Sequence, residues 1–359
     1  MGLQHRRAHF RPGRWRRLDR LLRPGWTLLG PAFVAAIAYV DPGNIAANVS
    51  AGARFGFLLV WVIVAANMLA ALVQYLSAKL GLVTGRTLPE SVRDRTGTSS
   101  RIAYWVQAEL VAIATDVAEI IGGAIALRLL FGLPLVLGGA ITGAVSLLVL
   151  TIGDRRGQRV FERVITGLLL IITVGFLASL VVNPPAPGRV IGGLVPRFEG
   201  AQSVLLATAM LGATVMPHAV YLHSGLARDR HGHPDAGPAR TGLLRATRWD
   251  VGIAMLLAGT VNLALLLVAA TNLRGRADTD TIEGAHTAVA ETLGSGVALF
   301  FAIGLLASGL ASTSVGAYAG AMIMQGLLRK TYPLLVRRLV TLLPALVVLA
   351  SGVDPTRAL

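Results

Sequence analysis

From Trp26 to Ala53 the chain carries one charged side chain, Asp41. A stretch of that length is long enough to cross a bilayer, and an ionised carboxylate near its middle is costly unless it faces a cavity or a partner. The residues that follow tighten this constraint. Pro42 has no backbone N–H to give and Gly43 is a poor helix former, so Asp41-Pro42-Gly43-Asn44 predicts helix on both sides of an unwound break. Such a break frees backbone carbonyls beside a carboxylate and an amide oxygen, the surroundings that a cation stripped of water needs. The competing reading is a kinked structural helix with a cleft-facing Asp. The coincidence of kink and charge argues against it.

With 54% hydrophobic and 14% charged residues and a mean hydropathy of +0.66, the chain reads as an integral membrane protein. A formal net charge of +15 would suggest nucleic acid as the partner of a soluble protein. Here the arginines lie mainly between apolar runs, where they set topology, so the expected surroundings are a lipid bilayer and no nucleic acid. There are no cysteines, which excludes disulfides and thiolate metal ligands. No Walker motif appears, so nothing points to ATP hydrolysis or to an enzyme.

Length and hydropathy place candidate spans at about 27–53, 56–78, 102–127, 129–152, 164–183, 201–227, 251–270, 296–328 and 334–352. Residues 1–25 form a basic tail, and residues 26–359 the transmembrane domain. A basic region followed by an apolar run also fits a signal peptide, but with so many further spans an uncleaved first helix suffices. Arginines cluster after the second, fourth, sixth and eighth spans, as at Arg155, Arg156, Arg159 and Arg163, while the intervening loops are shorter or carry few. The positive-inside rule then predicts a multi-pass protein of the inner (plasma) membrane with a cytoplasmic N-terminus.

The sixth span repeats the anomaly of the first. Its apolar run meets Thr214-Val215-Met216-Pro217-His218 and then resumes, so Pro217 removes a backbone donor in mid-span. Two interrupted spans separated by four ordinary ones point to an inverted five-plus-five repeat whose breaks face each other at the midplane. The site so formed would offer Asp41 as a hard anionic oxygen, Asn44 as an amide oxygen and Met216 as a soft thioether. Oxygen alone suits Mg²⁺, Ca²⁺ or Na⁺, whereas sulfur favours Mn²⁺, Fe²⁺, Co²⁺ and Cd²⁺. The metal is a substrate on this reading, and no cofactor is expected.

Asp41-Pro42-Gly43-Asn44 and Met216-Pro217-His218, in broken first and sixth spans, resemble the Nramp family of proton-coupled divalent metal transporters. The similarity runs from about Leu28 to Asp354 and includes Ala114-Thr115-Asp116-Val117-Ala118-Glu119 and Ala307-Ser308-Gly309-Leu310. The resemblance implies an all-α, leucine-transporter-type fold and a metal site made by Asp41, Asn44, Met216 and the backbone carbonyl of Ala213. Family branches adapted to Mg²⁺ or Al³⁺ depart at the Asp-Pro-Gly-Asn or Met positions. This chain keeps both and so resembles the Mn²⁺/Fe²⁺ branch. A truncated, non-transporting metal-binding subunit and an amino-acid transporter of the same fold are the alternatives.

The third span carries Glu109, Asp116 and Glu119, and spacings of seven and three put them near one helix face. Three carboxylates in a membrane helix are expensive unless they line a wet path, share protons or form static ion pairs. The resemblance implicates Asp116, Glu119 and His218 in proton coupling, and expects Arg337 and Arg338 of the ninth span to pair with the carboxylates. Asn67, Gln74 and Asn262 read as interhelical hydrogen-bond donors, His223 as a possible lining of an inner vestibule, and His231-Gly232-His233 as a solvated loop. Gly304, Gly309, Gly316 and Gly320 read as close helix packing. Nine spans leave a five-plus-five repeat one short, and residues 351–359 resemble the family's turn between its ninth and tenth helices. The expectation is a C-terminally truncated chain without the tenth span.

Overall fold

The computed structural model describes residues 30–276, 281–331, 334–353 and 355. The basic tail 1–25 and most of the terminal turn lie outside these. Every regular element among the described residues is a helix. The first span is split into α1 (Pro31–Ile37), a single 3₁₀ turn (Ala38–Val40) and α2 (Pro42–Phe55). The sixth is split into α9 (Gly200–Thr214) and α10 (Pro217–His231). The other long helices are α3 (Val60–Thr84), α5 (Thr98–Phe131), α6 (Leu135–Arg156), α7 (Gln158–Val182), α11 (Pro238–Asn272), α13 (Ser295–Leu328) and α14 (Leu334–Ala350). Counting α9 and α10 together, six of these spans are long and apolar enough to cross a membrane, and the 31–40 and 135–151 segments are shorter apolar pieces.

Three short helices stand in the connections: α4 (Leu88–Arg95), α8 (Pro187–Gly192) and α12 (Ile282–Leu293). Sequence hydropathy does not find them because they do not cross the membrane. The seventh span also differs from expectation. Its helix begins at Pro238, well before residue 251, because Arg240 to Asp250 continue the same helix as a polar extension beyond the apolar run.

The broken first span is the centre of the molecule. Every residue from Val34 to Pro42 is buried, and around them pack Ile120 and Ile121 of α5, Phe176 of α7, Leu265 of α11 and Leu305 of α13. Helix α13 lies along α5 and α7, α11 lies along α2 and α3, and α14 leans on α5 and α6. The outer faces of the bundle are apolar instead of charged. Met68, Leu72 and Leu76 of α3, Leu205 of α9, Leu256 of α11 and Val347 of α14 are all more than half exposed. A lipid-facing exterior accounts for this; water does not.

Candidate metal centre and charged cluster

The chain breaks where it does because each break offers its freed backbone groups a partner. Pro42 stands at the first position of α2, where its missing N–H costs nothing. Asp41 is extended (φ −76°, ψ 167°) and caps α2 by accepting the Asn44 backbone N–H at 2.7 Å. The carbonyls released at the end of the 3₁₀ turn are taken up by neighbours: Asn262 donates to Tyr39 at 2.7 Å and Ser308 donates to Val40. On the far side, Pro42 sits against Gly122 of α5, where a Cβ would overlap its ring. The second break follows the same plan. Val215 and Met216 leave helical geometry (ψ 76° and 121°), and Pro217 opens α10.

The two breaks meet through Asn44. Its side-chain Nδ2 donates to Asp41 Oδ1 and to the Ala213 carbonyl, both at 2.8 Å. Its Oδ1 accepts from the Thr214 hydroxyl at 3.2 Å, and that hydroxyl also reaches the Met210 carbonyl at 2.7 Å. Asp41, Asn44, Thr214 and Met216 are buried. Asp41 at the first break and the Ala213 carbonyl near the end of α9 therefore meet at one buried amide. Helix C-termini carry negative partial charge, and a full carboxylate lies beside them. Sequence reading did not single out Thr214, whose usual helical role is to bond the carbonyl four residues back.

A different polar system runs between α5, α13 and α14. Arg337 donates to Glu109 at 2.7 Å. Arg338 is fully inside the protein and holds both oxygens of Asp116, while Thr313 bonds Asp116 and accepts from Arg338 at 2.7 Å. Glu119 has no such partner. Both its carboxylate oxygens are buried without a hydrogen-bond donor, the nearby Ser312 hydroxyl being given to the Ser308 carbonyl. His218, at the start of α10, is likewise buried with both ring nitrogens unpartnered.

The glycines of α13 divide accordingly. Gly309 lets α13 close on the backbone of α5 at Gly123, and Gly304 makes room for the Phe176 ring. Gly316 instead leaves space for the Glu119 carboxylate, and Gly320 for the Arg337 guanidinium. Close helix packing is thus only part of their use. Gln74 joins Tyr39 (2.6 Å) to His223 (2.8 Å), and Asn262 joins Asn48 to Tyr39. His223 is wholly buried, so it faces no open vestibule here. Asn67 departs from expectation, since its Oδ1 is buried without a partner against Gly259. His233 is also tied down, bonding the Leu82 carbonyl at the end of α3 at 2.9 Å.

Two helix breaks thus bring a carboxylate, an amide and a backbone carbonyl together, and comparison with known families says where such a chain belongs. The family model for natural resistance-associated macrophage protein-like proteins, Nramp, matches residues 32–359. The chain belongs to the Nramp family. It is 72% identical over 338 residues to the divalent metal cation transporter MntH of Mycobacterium tuberculosis, a match covering 94% of this chain and 79% of that one. Among solved structures, a manganese transporter of Eremococcus coleocola aligns with a TM-score of 0.83 at 31% identity, over 94% of this chain and 75% of that one. A nucleobase-cation-symport-1 family transporter, Mhp1, in a closed conformation, aligns with a TM-score of 0.66 at 15% identity, over 90% of this chain and 72% of that one. That likeness is one of fold alone, and the Nramp chain shares with it the leucine-transporter-type architecture.

Proposed function

We propose that this chain is a secondary transporter that carries divalent transition-metal ions, Mn²⁺ and Fe²⁺, inward across the plasma membrane with protons as the coupled ion. The observation that carries this reading is the seat of the Asn44 amide. Its N–H₂ group, the positive end of a dipole, lies between Asp41 and the Ala213 carbonyl at 2.8 Å from each. Two oxygens held that way around a positive group are held for a cation. When the amide turns over, its Oδ1 joins Asp41 and Ala213, with the Met216 thioether from the second break as the soft donor that favours transition metals. Thr214 then serves the turned amide, because its hydroxyl can give its proton to Met210 and accept from Asn44 Nδ2.

The donor set suits cargo better than a resident ion. Among the described residues no group of three His, Asp or Glu is placed to hold a metal. One carboxylate and three neutral donors bind a dication strongly enough to strip its water and weakly enough to let it go. An inward-negative potential adds roughly 2.3 kcal/mol per charge per 100 mV to the driving force. The names of the relatives support the same cargo: a divalent metal cation transporter and a manganese transporter. An amino-acid cargo fits poorly, since its carboxylate would meet Asp41 and two carbonyl-bearing helix ends.

For the proton, Glu119 is the leading group. An isolated carboxylate in a dry interior is costly, and a proton on it removes that cost. Asp116 is instead paired with Arg338. His218 stands at the start of α10, two residues past the metal-binding Met216, and so links the metal site to this path. The deciding experiment is Mn²⁺ uptake and calorimetric Mn²⁺ binding with the chain in liposomes. Asp41→Ala is expected to reduce both by about a hundredfold or more, as it removes the carboxylate that meets the Asn44 amide. Undiminished Mn²⁺ binding by the variant would overturn the assignment of the site.

A further inference from the structure

We infer that the face on which α2 ends carries a second site, a pocket for a phosphate-bearing anion. A cavity of about 540 Å³ opens there between the end of α2, the α8 segment and the end of α11. Phe55, Phe57 and Phe198 form apolar walls, and Arg189, Arg197 and Arg274 line it together with a single acidic residue, Glu199. Among the described residues, no ion pair takes up any of these four charged side chains. Three cations outnumber the one carboxylate, and grouped like charges repel one another. Arginine is also the side chain whose planar fork matches phosphate oxygens in pairs.

The pocket wall is fixed rather than draped. The Trp61 backbone N–H donates to the Gly193 carbonyl at 3.0 Å, and its indole N–H donates to the Arg197 carbonyl at 3.3 Å. Its ring meets Phe198 edge to face, with centroids 5.4 Å apart. Gly193 passes so close to the Phe57 carbonyl that no side chain would fit. These contacts stitch the segment after α7 onto the start of α3 and hold Arg197 in place. The outer edge of the same segment is apolar, with Ile191 65% and Val195 59% exposed. An apolar edge beside a cationic pocket is the make-up of a segment lying at a membrane surface. The positive-inside rule assigns this face to the outside, so topology alone gives no reason for its arginines. The pocket repels the metal cargo. Its chemistry calls for a phosphate oxyanion, delivered either by a lipid headgroup or as free phosphate.

The test uses the full chain, purified and stripped of lipid. One arm titrates inorganic phosphate and follows thermal stability. The other reconstitutes the chain in phosphatidylcholine vesicles with and without phosphatidylglycerol and counts retained phosphatidylglycerol by native mass spectrometry. Binding in at least one arm is expected, weakened about tenfold or more in the triple variant R189S/R197S/R274S. Retained phosphatidylglycerol without a response to phosphate identifies the headgroup as the source, and a response to phosphate identifies the free anion. Failure of the wild-type chain to bind either probe, or equal binding by the triple variant, overturns the proposal. Should the triple variant fail to fold, Glu199→Gln decides. Removing the one opposing charge is expected to tighten binding about two- to fivefold, and unchanged or weaker binding overturns the proposal.

Discussion

Two of the polar regions buried in this molecule are built on opposite principles. At the proposed ion site the helices are broken, and the polar groups are mostly backbone carbonyls and neutral side chains around a single carboxylate, Asp41. In the cluster between α5, α13 and α14 the helices are continuous, and the polar groups are full charges: Glu109, Asp116 and Glu119 against Arg337 and Arg338. A broken helix presents dipoles that can satisfy one another, as the Asn44 amide does for Asp41 and the Ala213 carbonyl. A charged side chain on an intact helix has no such option and needs either a counter-charge or a proton. On the transport reading proposed above, the difference would suit one region to a cation that comes and goes, and the other to protons moving among fixed groups.

Four experiments press on this contrast. The largest effect is expected from Arg338→Ala, which leaves Asp116 buried without its counter-charge and should cost about 3–5 kcal/mol of stability. Adding Asp116→Asn should restore much of it. Thermal unfolding of the two single variants and the double variant measures this, and a fully additive result would mean the pair is not coupled. Next comes Glu119→Gln, which keeps the shape but cannot exchange a proton. Acid-stimulated uptake, or metal-driven proton entry read by a pH dye in liposomes, is expected to fall about tenfold or more, in the range of a lost acid–base group. Mn²⁺ binding should stay within about threefold. Equal losses of proton flux and metal binding would merge the two regions into one.

The smaller effects lie at the breaks. Met216→Ala is expected to retain part of the Mn²⁺ transport while admitting Ca²⁺ or Mg²⁺ about tenfold more readily, since only oxygen donors remain. Competition uptake checks it, and unaltered rejection of Ca²⁺ would remove sulfur from the selectivity account. Thr214→Val keeps the volume and deletes the hydroxyl that serves Asn44. One lost hydrogen bond is worth about 1 kcal/mol, so Mn²⁺ affinity measured by calorimetry should weaken about fivefold.

The breaks were legible in the sequence because proline leaves few alternatives in mid-span, and because Asp41 is the only charge between Trp26 and Ala53. The shared face of Glu109, Asp116 and Glu119 followed from helical spacing. Which arginine meets which carboxylate did not, because it depends on how α14 is rotated against α5, and spacing within one helix says nothing of that. Helix α11 was underestimated because Arg240 to Asp250 look like a loop to a hydropathy window, although nothing in them stops a helix. Thr214 escaped for a related reason: its helical bond to Met210 is ordinary, and only the approach of a second broken helix gives its oxygen another use. Gly316 and Gly320 read as packing residues until the side chains from other helices that occupy their missing volume are known.

A carrier that delivers net cargo makes half of its journeys with nothing aboard. The unloaded passage is often the harder one, because an empty nest of oxygens repels itself and tends to fill with water or collapse. In this chain the Asn44 N–H₂ lies between Asp41 and the Ala213 carbonyl, 2.8 Å from each. On the transport reading, the turn of that one side chain would give the returning carrier a surrogate passenger. On the transport reading, the speed of the return leg then depends on how easily Asn44 rotates, and turnover is governed as much by that amide as by the metal it replaces.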